Sequence, residues 1–164
     1  MDNSTNPAAG PWAAAPTAKE KNAVQRAVTA LLDELAPERV IRRAERTHLS
    51  VEQHRTPSGC VLQAAAAAVS VSWFPGAADD AALGELHVVV WRGVVSRRGS
   101  PRRPDGAAVV GELVLRPVER PADDCVWRAA DGTTYDTAAL AAKCLGLLAA
   151  QTEAGAARPP GAVD

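Results

Sequence analysis

Residues 84–118 read GELHVVVWRGVVSRRGSPRRPDGAAVVGELVLRPV. The two ends, GELHVVVWRGVVS and AAVVGELVLRPV, are rich in Val and Leu, and the connection RRGSPRRPDG holds four Arg, two Pro and two Gly. That connection suits neither a strand nor a helix, so the stretch is expected to form two long antiparallel strands joined by an arginine-rich loop. Pairing Ser96 with Ala107 sets Val94 against Val109, Val90 against Leu113 and Val88 against Leu115 on one apolar face. The other face then pairs His87 with Arg116, Val89 with Val114 and Trp91 with Glu112, a mixture more apolar than a solvated face needs.

Upstream, Val24, Ala27, Val28, Leu31, Leu32 and Leu35 recur at helical spacing, which predicts an amphipathic helix over residues 17–36. Thr17 and Glu20 form a capping-box pair at its start, and Pro37 is expected to stop it. Residues 39–46 are ambiguous. From Thr47 the alternation of Leu49 and Val51 with His48, Ser50 and Glu52 has the period of a strand. A turn at TPSG (56–59) leads into CVLQAAAAAVSVSWF, where five alanines favour a helix but the preceding turn and VSVSW favour one continuous strand over 60–74, the reading adopted here. Pairing Arg55 with Cys60 places Leu49 and Val51 opposite Ala66 and Ala64. In a continuous strand Val69, Val71 and Trp73 then point to the opposite face.

Downstream, CVWRAA (125–130) is a short strand, Asp131-Gly132 a tight turn, and Asp136 or Thr137 the cap of a final helix bearing Leu140, Cys144, Leu147 and Leu148 on one stripe. The expected fold is therefore α+β, α-β-β-β-β-β-α, with a five-stranded antiparallel sheet and both helices mainly on one face. Residues 17–153 form the single domain. Residues 1–16 and 154–164 are too rich in Pro, Gly and Ala to bury much apolar surface, and are expected to be flexible arms, with Trp12 the N-terminal one's sole anchor candidate.

At 164 residues the chain is long enough for one core without staples. A net charge of -1 argues against binding nucleic acid over the whole surface and leaves room only for a local basic patch. Cys60, Cys125 and Cys144 are an odd, widely spaced set without a CxxC pair, which fits a reducing compartment rather than a disulfide framework or zinc site. The first residues lack the pattern of an export signal, and no run of about 18 apolar residues occurs. The expected setting is the cytoplasm, with no membrane contact. The abundance of Ala and Arg suggests a bacterial genome of high GC content.

Three constellations carry functional expectations. The first is the second sheet face, where Val69, Val71, Trp73, Val89, Trp91 and Val114 would form an apolar protein interface if two helices cover only the other side. The second is Arg97, Arg98, Arg102 and Arg103, which could contact phosphate or nucleic acid, although the loop lacks aromatic residues for base stacking. The third is His48, Glu52 and His54 on one strand face. His48 and Glu52 would stand roughly 13 Å apart, too far for one metal, and Glu52 with His54 would need help from residues such as Gln63 or His87. No phosphate-binding, dinucleotide, zinc-protease or serine-hydrolase motif occurs, so no cofactor, metal or catalytic residue is assigned. The leading expectation is a non-catalytic interaction module, of adaptor, chaperone-like or assembly type, that binds a protein partner or itself. Binding through loop 97–103 comes second, and a small enzyme around His48, Glu52 and His54 third.

Overall fold

The computed structural model describes residues 15–47, 49–77, 82–96, 106–120 and 124–156. The apolar stripe after Thr17 forms α1 (Ala18–Glu34), and the capping box is complete: Thr17 Oγ1 accepts the Glu20 N–H at 3.2 Å, and the Glu20 carboxylate accepts the Thr17 N–H. The stripe Val24, Val28, Leu31 and Leu32 is buried. The helix ends at its C-cap Leu35, before Pro37 as expected, but Pro37 then opens a second helix, α2 (Pro37–Thr47). At the first position of a helix a proline loses nothing by lacking an N–H, and Glu38 in the first turn with Arg46 in the last suits the helix dipole. The strand expected from Thr47 therefore begins later, at β1 (Glu52–Thr56), while Leu49 and Val51 pack on the core from the connecting segment.

The sheet continues through β2 (Gly59–Gln63), β3 (Ala67–Pro75), β4 (Gly84–Gly93), β5 (Ala107–Arg120), β6 (Asp124–Ala129) and β7 (Thr134–Tyr135), and α3 (Thr137–Ala156) ends the described chain. Spatial order equals sequence order, every neighbouring pair is antiparallel, and the sheet is a plain meander. Helices α1 and α3 pack against each other and on the same side of the sheet. The fold is thus α+β with an antiparallel sheet and helices at both ends, and among the described residues it has seven strands rather than five.

Two corrections account for the difference. Residues 60–74 are not one strand: the chain reverses at Ala64–Ala66, where the Ala64 N–H donates to the Ala67 carbonyl at 2.8 Å, and β3 runs back along β2. Beyond the Asp131-Gly132 turn, Thr134 and Tyr135 add a two-residue strand to β6. The first turn pairs Arg55 with Cys60 as expected.

The central hairpin is shifted by two residues from its expected register. Leu86 faces Leu115, Val88 faces Leu113 and Val90 faces Gly111. A slip of two leaves each side chain on its own face, so the two expected faces survive. Beyond Val90 the register changes again, Trp91 lying opposite Val109, so Val110 is the extra residue of a β-bulge. β4 stops at Gly93, whose φ of 106° lies in the region that favours glycine.

The core between helices and sheet contains Leu62, Val69, Val71, Leu86, Val88, Leu115 and Trp127, closed by Leu31, Leu140 and Leu148. Trp127 is completely buried and meets Trp73 edge to face, with ring centroids 5.8 Å apart. Asp136 caps α3 by accepting the Ala139 N–H at 2.7 Å. Because Trp127 lies at the centre of this layer, Trp127→Ala is expected to lower stability by about 3–5 kcal/mol in urea denaturation, whereas Val109→Ala, at an exposed position, should change it by less than about 0.5 kcal/mol.

Candidate functional site

The helix-free side of the sheet follows from the register. His54, Val61, Ser70, Val89 and Glu112 lie in one cross-strand row, and Ser72, His87 and Val114 in another. The face divides into an apolar patch and an ionic row.

The apolar patch is centred on Trp91, which is only 9% exposed and packs with Val61, Ala68 and Val95. Its indole N–H donates to Ser70 Oγ at 3.0 Å. The side chain that holds this patch together is Gln63. Its Nε2 donates to the carbonyls of Ala64 (2.6 Å), Ala67 (3.0 Å) and Gly93 (3.2 Å), and its Oε1 accepts the Val95 N–H at 3.2 Å. Gln63 so fastens the β2–β3 turn to the segment leaving β4 and draws Val95 into contact with the Trp91 cluster.

The ionic row is built on His87. Its Nε2 lies 3.1 Å from Glu85 Oε2 and its Nδ1 lies 3.4 Å from Glu112 Oε1. Arg116 donates to Glu85 Oε1 from Nη2 at 3.0 Å and from Nε at 3.3 Å. The Arg116 hydrogen bonds, followed by that of His87, hold the Glu85 carboxyl below its ordinary range. Phe74, 54% exposed, meets the His87 ring edge to face at 4.8 Å.

The expected interface residues are split between the two sides of the sheet. Val89, Trp91 and Val114 are on the helix-free face, with Val89 and Val114 half-buried. Val69, Val71 and Trp73 are not: they are buried beneath the helices. The reason is the three-residue reversal at Ala64–Ala66, which places Leu62 opposite Val69 and Cys60 opposite Val71, whereas a straight strand would have put them on opposite faces. The same reversal brings Phe74, which the sequence reading passed over, onto the helix-free face. Arg97, Arg98, Arg102 and Arg103 lie outside the described residues, as do His48 and Trp12.

Glu52 and His54 stand together at the β1 edge, 3.9 Å apart. They lie three strands from His87, or about 14 Å across the sheet, so these groups do not converge. Gln63, considered as a helper ligand, is engaged with the backbone. Among the described residues no three His, Cys, Asp or Glu side chains are grouped to hold a metal ion. His87 has a carboxylate at each ring nitrogen but stands on an open face without an enclosing wall. A shallow groove of about 560 Å³ nearby is lined by Val114, Arg116, Val118 and Arg128, with Pro117, Ala129 and Ala130. No described helix is long and apolar enough to cross a membrane.

The chain matches no family model, no curated protein and no solved structure.

All three cysteines are free and buried. Burial pushes the Cys60 and Cys125 thiols up to about 11 and the Cys144 thiol up to about 12. Native protein at pH 8 is therefore expected to leave all of them unmodified by a thiol-specific disulfide reagent, while protein in urea should titrate three. For the latch, Gln63→Ala takes the side-chain partner from the Val95 N–H and one hydrogen bond from each of the Ala64, Ala67 and Gly93 carbonyls, and should cost about 1–3 kcal/mol in urea denaturation with a red shift of the Trp91 emission.

Proposed function

We propose that this protein is a non-catalytic interaction module that associates with a second copy of itself through the helix-free sheet face. The observation that carries this reading is the pairing of exposed Phe74 with half-buried Val89, Val114 and Val118 on a side that no described helix covers. An antiparallel sheet with helices on one side tolerates a solvated second face, and such a face is normally polar at alternate positions. Here Phe74, Val89, Val114 and Val118 stand among Ser70, Ser72 and the ionic row on β3, β4 and β5.

Charge favours a second copy as the occupant. On this face Glu52 lies towards one margin, on β1, and Arg128 towards the other, on β6, while Glu85 and Arg116 between them are paired with each other. A two-fold axis across the face brings the basic part of one copy to the acidic part of the other, as a self-complementary contact requires. The Trp91 patch then acts as a firm base, since its cluster is already satisfied internally. Phe74 and the half-buried valines are the contact groups.

Phe74→Glu should leave folding within about 0.5 kcal/mol of wild type, because the side chain is largely exposed, and should raise the self-association constant for dissociation at least tenfold. Sedimentation equilibrium of the two proteins measures this. Identical association in both would remove the face from the proposal.

A further inference from the structure

β5 is longer than either of its neighbours can cover. β4 pairs with it over Ala107–Leu115, and β6 pairs with its other side only from Leu115 to Arg120. Two half-edges result: residues 107–114 have no partner on the β6 side, and residues 116–120 have none on the β4 side among the described residues. In an antiparallel strand about half of the residues direct both N–H and C=O to each side, so an open edge of this length presents several unpaired donors and acceptors.

The exposed edges differ in how they are protected. The 116–120 half reads RPVER, with a proline and three charges. The outer strand β1 reads EQHRT, and β7 is two residues long. Charges, proline and shortness are the devices that keep an edge from pairing with another chain. The 107–114 half reads AAVVGELV, with no proline, no basic residue and one charge. Val109 is 54% exposed and Val110 45%. Glu112, the single charge, is turned to His87.

From these features we infer that the open edge of residues 107–114 is a strand-addition site, taken by the same segment of a second copy in antiparallel orientation. The segment fits itself in one register that fills the edge completely: Ala107 opposite Val114, Ala108 opposite Leu113, Val109 opposite Glu112, and Val110 opposite Gly111. Directly opposite residues in a sheet must share a face. The bulge at Val110 supplies this condition. Val109 lies opposite Trp91, which puts Val109 and Ala107 on the helix-free face with Glu112 and Val114, while Ala108 falls on the helix side with Leu113. No like charges meet, because Glu112 faces Val109. Two copies so joined form one continuous sheet with all helices on one side, and their helix-free faces merge. This contact is separate from the face-to-face contact proposed above.

The test is amide hydrogen exchange of the full-length wild-type protein at low and high concentration, beside sedimentation of wild type, V109K/V110K and Phe74→Glu. Both valines are exposed, so the lysine variant keeps its core, and far-UV circular dichroism checks this. Residues 107–114 should gain protection as wild-type protein is concentrated. The lysine variant should lose that protection together with the edge-dependent step of association, and Phe74→Glu should keep the protection. Exchange in 107–114 that is independent of concentration overturns the inference, whether or not the protein still associates through its face. Protection that appears only when an unrelated extended peptide is added also overturns the assignment to a second copy.

Discussion

The reversal at Ala64–Ala66 is the constraint on which the rest of this structure depends. Across this reversal Gln63 pairs with Ala68, Leu62 with Val69 and Cys60 with Val71, so residues of opposite parity share a face and the faces of odd and even positions are exchanged. That exchange sends Val69, Val71 and Trp73 under the helices and Ser70, Ser72 and Phe74 to the other side. The reversal is also tied to the next hairpin. The Gly93 N–H donates to the Ala66 carbonyl at 2.7 Å, and Gln63 bonds to both the turn and the exit of β4. One polar side chain thus positions two chain reversals. The small Trp91 cluster exists because those reversals lie side by side.

The two faces use different physics. On the helix side the contacts are apolar and complete, and each large aliphatic group buried there contributes about 1.5–3 kcal/mol relative to exposure. On the helix-free side burial is local, around Trp91 and at Val126, and between them runs an ionic row of exposed or half-buried groups. Exposed pairs of that kind contribute roughly 0–1 kcal/mol each, so the Glu85, His87, Glu112 and Arg116 row does little for stability. Its value is in orienting charge and in holding Phe74 beside His87.

Much of the helical framework was legible in the sequence because its signals are local. The Thr17 and Glu20 cap, the leucine stripe of α1 and the Asp136 cap of α3 each depend on residues within a few positions of one another. The faces of the central hairpin were legible from Leu86 to Val90 and from Gly111 to Leu115, since a two-residue slip conserves them, but the bulge at Val110 moves Val109 from the expected face to the other. The turn at Ala64–Ala66 was not, because alanine carries no turn chemistry and the decisive groups, Gln63, Gly93 and Val95, lie up to about 30 residues away in the chain. Pro37 illustrates a different ambiguity: proline marks both the end of one helix and the first residue of another. The apolar character of the second face was readable from Val89, Trp91 and Val114. The place of Phe74 on that face was not, because it depends on the exchange of faces at the Ala64–Ala66 turn.

The open half of β5 follows from how the chain must close the core. β6 is only six residues long, and the Asp131-Gly132 turn returns the chain through β7 so that α3 can start at Thr137 and lie against β3 and β4. A β6 extended along residues 107–114 would carry the chain away from the side that α3 covers. The helix therefore leaves that length of β5 with one neighbour among the described strands. A sequence shaped only to remain monomeric has an inexpensive remedy in lysine or proline at Val109 or Val110, and it uses such residues a few positions later, at Arg116, Pro117 and Arg120. Their placement beside the other half-edge, with Val-Val and a facially matched bulge at this one, makes the open edge a feature to be explained by pairing and not only by the geometry that created it.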